Sequence, residues 1–514
     1  DYSWIKVSGG TFNKKVTESY WAEGYGVYET ASGEYTAMPA DKVARLGSYN
    51  YYTTLEEAIA AVGTGVSTST VVYLLKNVTI NEQLVIDNSK AITLNLSGFT
   101  LTSTYAMGNA SSEGRYALVN KTPLTIKNGT FAAGEARAIG AYGQLMLNGV
   151  TVTQKLTGGH ACVAFCANDT KYWITNSTID GAYAVCNFAN NATITIKSSE
   201  LNGSGCGLYH NGSNYGLKLT VAETKINGSL NGAIGSESDP SGVYISGSTA
   251  TVEKGGMQSA SFTDCTIKGA TAIEVKYTDL KLDKCTVEAT VKTPSYSKNN
   301  NGMTALGFAV VSTDNSKDGE TPVPAGTVTI TGDNGNYTGL VGLGALASVK
   351  ETYEGFTDNT IQVSGGTFDN AVLPEYCADG YIPTKNEDST YGVKAGAYVA
   401  EVNGTKYESL QAAIDAANRN ATVKMLADTR ENVTIAKALT LDLNGFTLNG
   451  STGERKPALT ITARTVTIKD SSTAQNGTIM REDTAENSGV SSHYVIDIQG
   501  NAWVMFESGI VKNN

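Results

Sequence analysis

Few residues in this chain have the type and spacing to do chemistry. Asp180 and Glu200 lie about one repeat apart, and carboxylates within roughly 5–10 Å of each other can serve as acid and base. Solvated turn residues are the commoner identity of such a pair, so no catalytic residue is assigned. Asp333, Asn334 and Asn336 belong to the oxygen-rich turn Asp333-Asn334-Gly335-Asn336, which offers the ligand type that Ca²⁺ takes. The closing Glu and the other ligands of a calcium loop are missing, so a plain turn is preferred and no metal site or cofactor is expected. His160, His210 and His493 are too few and too scattered for structural zinc, and the seven cysteines include no CxxC pair. Cys265 and Cys285 share one position in the repeat described below. They form either a disulfide or a stack of reduced thiols, and the stack is favoured. Tyr172, Trp173, Tyr183 and Tyr209 cluster in sequence. Exposed and stacked they would make a carbohydrate-binding face, although packing inside the fold is the commoner role of such rings.

A long repeat positions these residues. Val7-Ser8-Gly9-Gly10-Thr11-Phe12 recurs as Val363-Ser364-Gly365-Gly366-Thr367-Phe368, and Tyr20-Trp21-Ala22-Glu23-Gly24-Tyr25 recurs as Tyr376-Cys377-Ala378-Asp379-Gly380-Tyr381. Leu96-Ser97-Gly98-Phe99-Thr100-Leu101 recurs as Leu443-Asn444-Gly445-Phe446-Thr447-Leu448. Inside each long repeat lies a short one: an apolar anchor, four residues, then a second apolar anchor that Thr usually precedes. Ile126/Phe131, Leu147/Val152, Ile174/Ile179, Ile196/Leu201, Val221/Ile226, Phe262/Ile267 and Leu282/Val287 fit it, as do Leu96/Leu101 and Leu443/Leu448. Strand-period alternation leads into the first anchor, as in Ala192-Thr193-Ile194-Thr195-Ile196. An x-Gly-small tripeptide follows the second, which calls for positive φ or close backbone approach. A spacing near 20 residues between second anchors suits one turn of a parallel β-helix. The stretches 235–258 and 293–324 read as loops bulging from the coil.

The expected fold class is therefore all-β, with right-handed parallel β-helix modules in tandem joined by small β-β-α capping segments. Residues 1–17 are the last rung of a preceding module, 18–66 a cap and linker, 67–372 a complete module, 373–421 a second cap and linker, and 422–514 the start of the next module. The chain opens in mid-pattern at Asp1 and is read as a mature or excised piece. Leu55, Ala58 and Ile59, and again Leu410, Ala413 and Ile414, fall at helical spacing. Thr54 with Glu57 makes a capping box, of which the second copy keeps only Ser409.

Composition narrows the function. With 38 basic and 49 acidic residues the net charge is −11, and no run of five Lys or Arg occurs, so nucleic acid is not an expected partner. No apolar run of 18 residues exists, so no membrane span is expected in this chain. The repeats resemble the right-handed parallel β-helix, pectin-lyase-like superfamily, and more narrowly the adhesin-like surface proteins of gut Firmicutes. Ser364-Gly365-Gly366-Thr367-Phe368, Tyr376-Cys377-Ala378-Asp379-Gly380-Tyr381 and Tyr407-Glu408-Ser409-Leu410-Gln411-Ala412-Ala413-Ile414 carry the likeness over nearly the whole chain. It implies an extracellular protein on a bacterial cell surface. Polygalacturonase-like enzymes of the superfamily carry Asn-Thr-Asp, paired Asp, Gly-His-Gly and Arg-x-Lys. Only Gly159-His160-Ala161 approaches this set, and Arg455-Lys456 falls in the other module. The expectation is a rigid structural or adhesive rod without catalytic activity. Its partners would be further copies joined head to tail in a filament, or host or bacterial surface glycans or proteins. The alternative is a β-helix protein that binds or degrades polysaccharide.

Overall fold

Alternation along a strand sends every second side chain inward, and stacked turns bring like positions into columns. The computed structural model describes residues 5–29, 33–48, 50–107, 112–228, 241–246, 254–299, 302–313, 326–344, 361–450, 456–481 and 494–513. Its strands pair in parallel from turn to turn, in three sheets. The first sheet aligns Leu94, Ile126, Leu147, Ile174, Ile196, Val221, Phe262, Leu282, Ile330 and Val363. The second aligns Leu101, Phe131, Val152, Ile179, Leu201, Ile226, Ile267, Val287, Tyr337 and Phe368. All twenty are buried. A third column, from Leu84 and Leu118 through Val163, Leu208 and Ile273 to Val341, closes the coil. The chain is a parallel β-helix, wound in the right-handed sense of such crossovers.

The chain divides into two units, Asp1–Ala378 with Pro383–Val393, and Asp379–Ile382 with Lys394–Asn514. The second unit has its own three ladders, among them Leu441–Ile468–Phe506 and Leu448–Ile479–Val511. Its core is separate, centred on Leu441, Ile461, Ile468 and Ile479.

Several local readings need correction. Leu94 and Leu441, not Leu96 and Leu443, stand in the first column, because the turn to the second sheet is two residues longer there. The same longer turn hides the rung at Ile330 and Tyr337, which the short template misses. The stretches read as loops also contain coil strands: Ser241–Ile245 and Phe308–Thr313 both lie in the third sheet. Ser295–Asn299 and Gly302–Leu306 pair as an antiparallel hairpin.

Between the first and second sheets the chain bends at a left-handed residue. Asn176, Ser198, Glu223, Asp264 and Lys284 take φ between 48° and 53°. The next residue is Ser177, Ser199, Thr224, Cys265 or Cys285, and each turns its hydroxyl or thiol onto the carbonyl two residues back. The Ser177 N–H donates to Ser199 Oγ and the Ser199 N–H to Thr224 Oγ1, which links successive turns.

Helix α1 (Leu55–Ala60) carries the complete capping box of Thr54 and Glu57. In helix α2 (Leu410–Ala416), Ser409 accepts from the Ala412 N–H. The missing acid is replaced from a distance, because the Glu431 carboxylate accepts the N–H groups of Leu410 at 2.8 Å and Gln411 at 3.1 Å.

Candidate functional site

On the outer face of the second sheet, the residue before each second anchor forms a column in which Thr dominates: Thr100, Thr130, Thr151, Thr178, then Glu200 and Lys225, then Thr266 and Thr286. The residue after each anchor forms a parallel column: Thr153, Asp180, Asn202, Asn227, Lys268 and Glu288. Functional groups therefore replace Thr and Ala over a few central turns.

These side chains are joined. Asn227 Nδ2 donates to Asn202 Oδ1 at 2.6 Å, and Asn202 Nδ2 donates to Asp180 Oδ1 at 2.7 Å. Beside this row Lys225 Nζ meets Glu200 Oε1 at 2.8 Å, and Lys268 Nζ meets Glu288 Oε2 at 2.6 Å. The Lys225 ammonium holds the Glu200 carboxyl below its ordinary range, so Glu200 is ionised at neutral pH. The row forms the floor of an open groove of about 830 Å³, walled by Gln154, Lys155, Leu156 and Thr157.

Glycines set its depth. Gly181, Gly203, Gly228 and Gly269 follow the functional column, and none has positive φ. A Cβ at Gly203 would lie 1.9 Å from the Cys206 carbonyl oxygen, and one at Gly228 would lie 2.0 Å from that of Ser241. Close backbone approach at the corner into the third sheet thus explains the x-Gly-small tripeptide. The x of that tripeptide is the groove residue: Asp180, Asn202, Asn227 and Lys268. Of these only Asp180 stood out in the sequence; the others looked like turn residues.

The four aromatic candidates do not form one face. Tyr172 lies inside the coil, stacked on Phe165 with centroids 4.1 Å apart, and its hydroxyl donates to the Ala167 carbonyl. Trp173, its neighbour in sequence, points to the opposite side, in register with Met146 and Thr195 on the outer face of the first sheet. Tyr183 and Tyr209 lie outside the third sheet, and Tyr209 stacks on Tyr244 at 5.5 Å. Tyr183 is buried there and Tyr209 half-buried. A single sugar platform built from all four is therefore corrected.

Cys265 and Cys285 are buried and not disulfide-bonded. The adjoining Cys265 sulfur and burial push the Cys285 thiol well above its ordinary range, so it carries its proton. Asp333 and Asn334 sit exposed in the longer turn between Ile330 and Tyr337, and Asn336 is exposed at the start of the next strand. Among the described residues no group of three His, Cys, Asp or Glu is placed to hold a metal ion. His210 is fully buried, and His493 lies outside the described residues.

No known protein family matches the sequence, and no curated protein does. Solved structures do match. The Dettilon tailspike protein is 9% identical with a TM-score of 0.28, covering 82% of this chain and 60% of its own, so this chain spans less than two thirds of that protein's length. Pectin methylesterase PemA from Erwinia chrysanthemi is 12% identical with a TM-score of 0.30, covering 59% of this chain and 92% of its own. The PL6 family alginate lyase AlyGC is 10% identical with a TM-score of 0.21, covering 85% and 72%. The expectation of a chain without catalytic activity is thereby corrected, because a pectin methylesterase and an alginate lyase are among the proteins it matches. These likenesses concern the fold, and they bring no reaction and no residue to this chain. Among the described residues no helix is long and apolar enough to cross a membrane.

Proposed function

We propose that this chain is an extracellular bacterial surface protein that holds a polysaccharide strand in the groove over Asp180, Asn202 and Asn227. The observation that supports this reading is the hydrogen-bonded row itself. Three successive turns, about 4.8 Å apart, present amide and carboxylate groups in one line. That spacing is close to the length of one pyranose ring, and amides and carboxylates are the groups that pair with sugar hydroxyls. Lys155 and Lys268 at the rim add donors for acidic substituents. The placement outside the cell rests on the resemblance of the repeats to adhesin-like surface proteins.

The test is binding of the full chain to neutral and acidic polysaccharides, with product release followed in the same samples. Asn202→Ala combined with Asn227→Ala should weaken binding about thirtyfold, since each change removes a hydrogen bond of about 1 kcal/mol. Absence of binding across the set, or equal binding by the double variant, overturns the reading.

A further inference from the structure

We infer that Arg115, Arg137 and His160 form a binding site for an oxyanion, a carboxylate or sulfate group borne by a sugar or a free small molecule. The site lies outside the third sheet, beyond the groove described above, and the argument for it is independent of that groove.

Topology brings the three together. Tyr116 and Arg137 pair in register on neighbouring strands, with Arg115 immediately before Tyr116. His160 ends the loop that begins at the groove wall with Lys155 and stands immediately before the next strand, Ala161–Phe165. Arg137 Nη1 lies 3.4 Å from the Tyr116 hydroxyl, and Nη2 lies 3.5 Å from His160 Nδ1. The guanidinium carbon is 5.7 Å from the centre of the Tyr116 ring. Burial, and then the charges of Arg137 and Arg115, hold the His160 imidazole below its ordinary range.

Two features distinguish this cluster from ordinary packing of an arginine on a tyrosine. The first is that Arg137 Nε is buried and has no hydrogen-bond partner. A guanidinium keeps its five donors at every accessible pH, so an unmet buried N–H calls for an acceptor. The second is the lack of a counter-ion. Acidic residues outnumber basic ones 49 to 38, yet among the described residues no carboxylate pairs with Arg115 or Arg137. Glu113, two residues before Arg115, is bound to Lys121 at 3.0 Å, and Glu135, two residues before Arg137, forms no ion pair with it. A flat two-oxygen anion matches the guanidinium fork, and a negative charge beside His160 would offset the two arginine charges that lower its proton affinity.

The chain has three histidines, so the His160 ring signal can be assigned by its loss in His160→Gln. The full chain is titrated at fixed pH and ionic strength with sodium sulfate, sodium glucuronate and neutral glucose while the ring signals are followed by NMR. Saturable movement of the His160 signal with sulfate or glucuronate, but not with glucose, is expected. Response to sulfate alone assigns a sulfate group, and response to glucuronate alone a carboxylate. Arg137→Gln should weaken the response about tenfold, with an unmoved His210 signal certifying the fold. Arg115→Gln, at an exposed site, should weaken it severalfold. Asn202→Ala should leave it unchanged, which separates this site from the groove. The inference is overturned if His160 moves with neither anion, if glucose moves it equally, or if Arg137→Gln titrates like the parent.

Discussion

His210 shows how one residue can set a pH limit on the coil. It is fully buried, and its Nδ1 lies 2.8 Å from the Asn187 amide nitrogen, which donates to it. Burial lowers its pKa to about 4, from about 6.5 in an unfolded chain. The folded form therefore binds its proton later than the unfolded form does. Stability from the neutral ring is fully present above pH 6.5 and is lost as the pH falls from there toward 4. Denaturant unfolding at pH 7 and pH 5 should differ by roughly 2 kcal/mol more in the parent than in His210→Gln. Equal differences would mean that the ring is protonated inside the fold. The thiols give a second residue-scale outcome. Cys265 and Cys285 occupy positions that Ser177, Ser199 and Thr224 fill on earlier turns, each donating to the same kind of carbonyl. Cys265→Ser should therefore cost less than about 1 kcal/mol and less than Cys265→Ala, which removes the donor. The reverse order in thermal unfolding would show that the sulfur serves as apolar filling.

At the scale of elements, the sequence revealed what repeats at constant spacing and concealed what does not. The five-residue interval between anchors made Ile126, Ile196 and Phe262 visible as core. Where the turn grows by two residues, as before Tyr337, the same pattern passed unseen, and Asp333-Asn334, read as a plain turn, was not recognised as the longer bend between two anchors. The third sheet was hidden for another reason. Its strands are buried on both faces, so Ser241–Ile245 shows no alternation. The groove was legible only through Asp180, since Asn202 and Asn227 differ from ordinary turn residues in register alone. The second helix cap was half legible. Ser409 was plain, but the acid that completes it comes from Glu431, 21 residues after Leu410. Glu431→Gln keeps the shape and removes the charge facing the helix N-terminus. It should destabilise the second unit by about 1 kcal/mol. No change in its unfolding midpoint would mean that Ser409 suffices.

At the scale of the whole molecule, the two units have separate cores, one running from Ala44 to Val372 and the other from Ala400 to Val495. Ile414 is buried in the second, beside Leu410 and Ala413. Ile414→Asp places an unpaired carboxylate there, at a cost of several kcal/mol. In a coil where each turn rests on its neighbours, the loss should spread outward from the capped turn. Hydrogen exchange should then quicken over 422–442 while 124–289 keeps its protection. Uniform quickening across both would show that the chain unfolds as one cooperative block.

The stacking of one turn on the next also has a mechanical side. Force applied along the coil axis runs in line with the hydrogen bonds between turns, so they bear tension one row at a time. A coil built this way should not snap. It should unzip, and a turn of about 20 residues lets out about 70 Å of chain as it comes away. Stretching a single molecule should give a staircase of small, similar steps instead of one large drop. A ligand lying across several turns in the groove would tie those steps together, and the staircase would then lose its central treads.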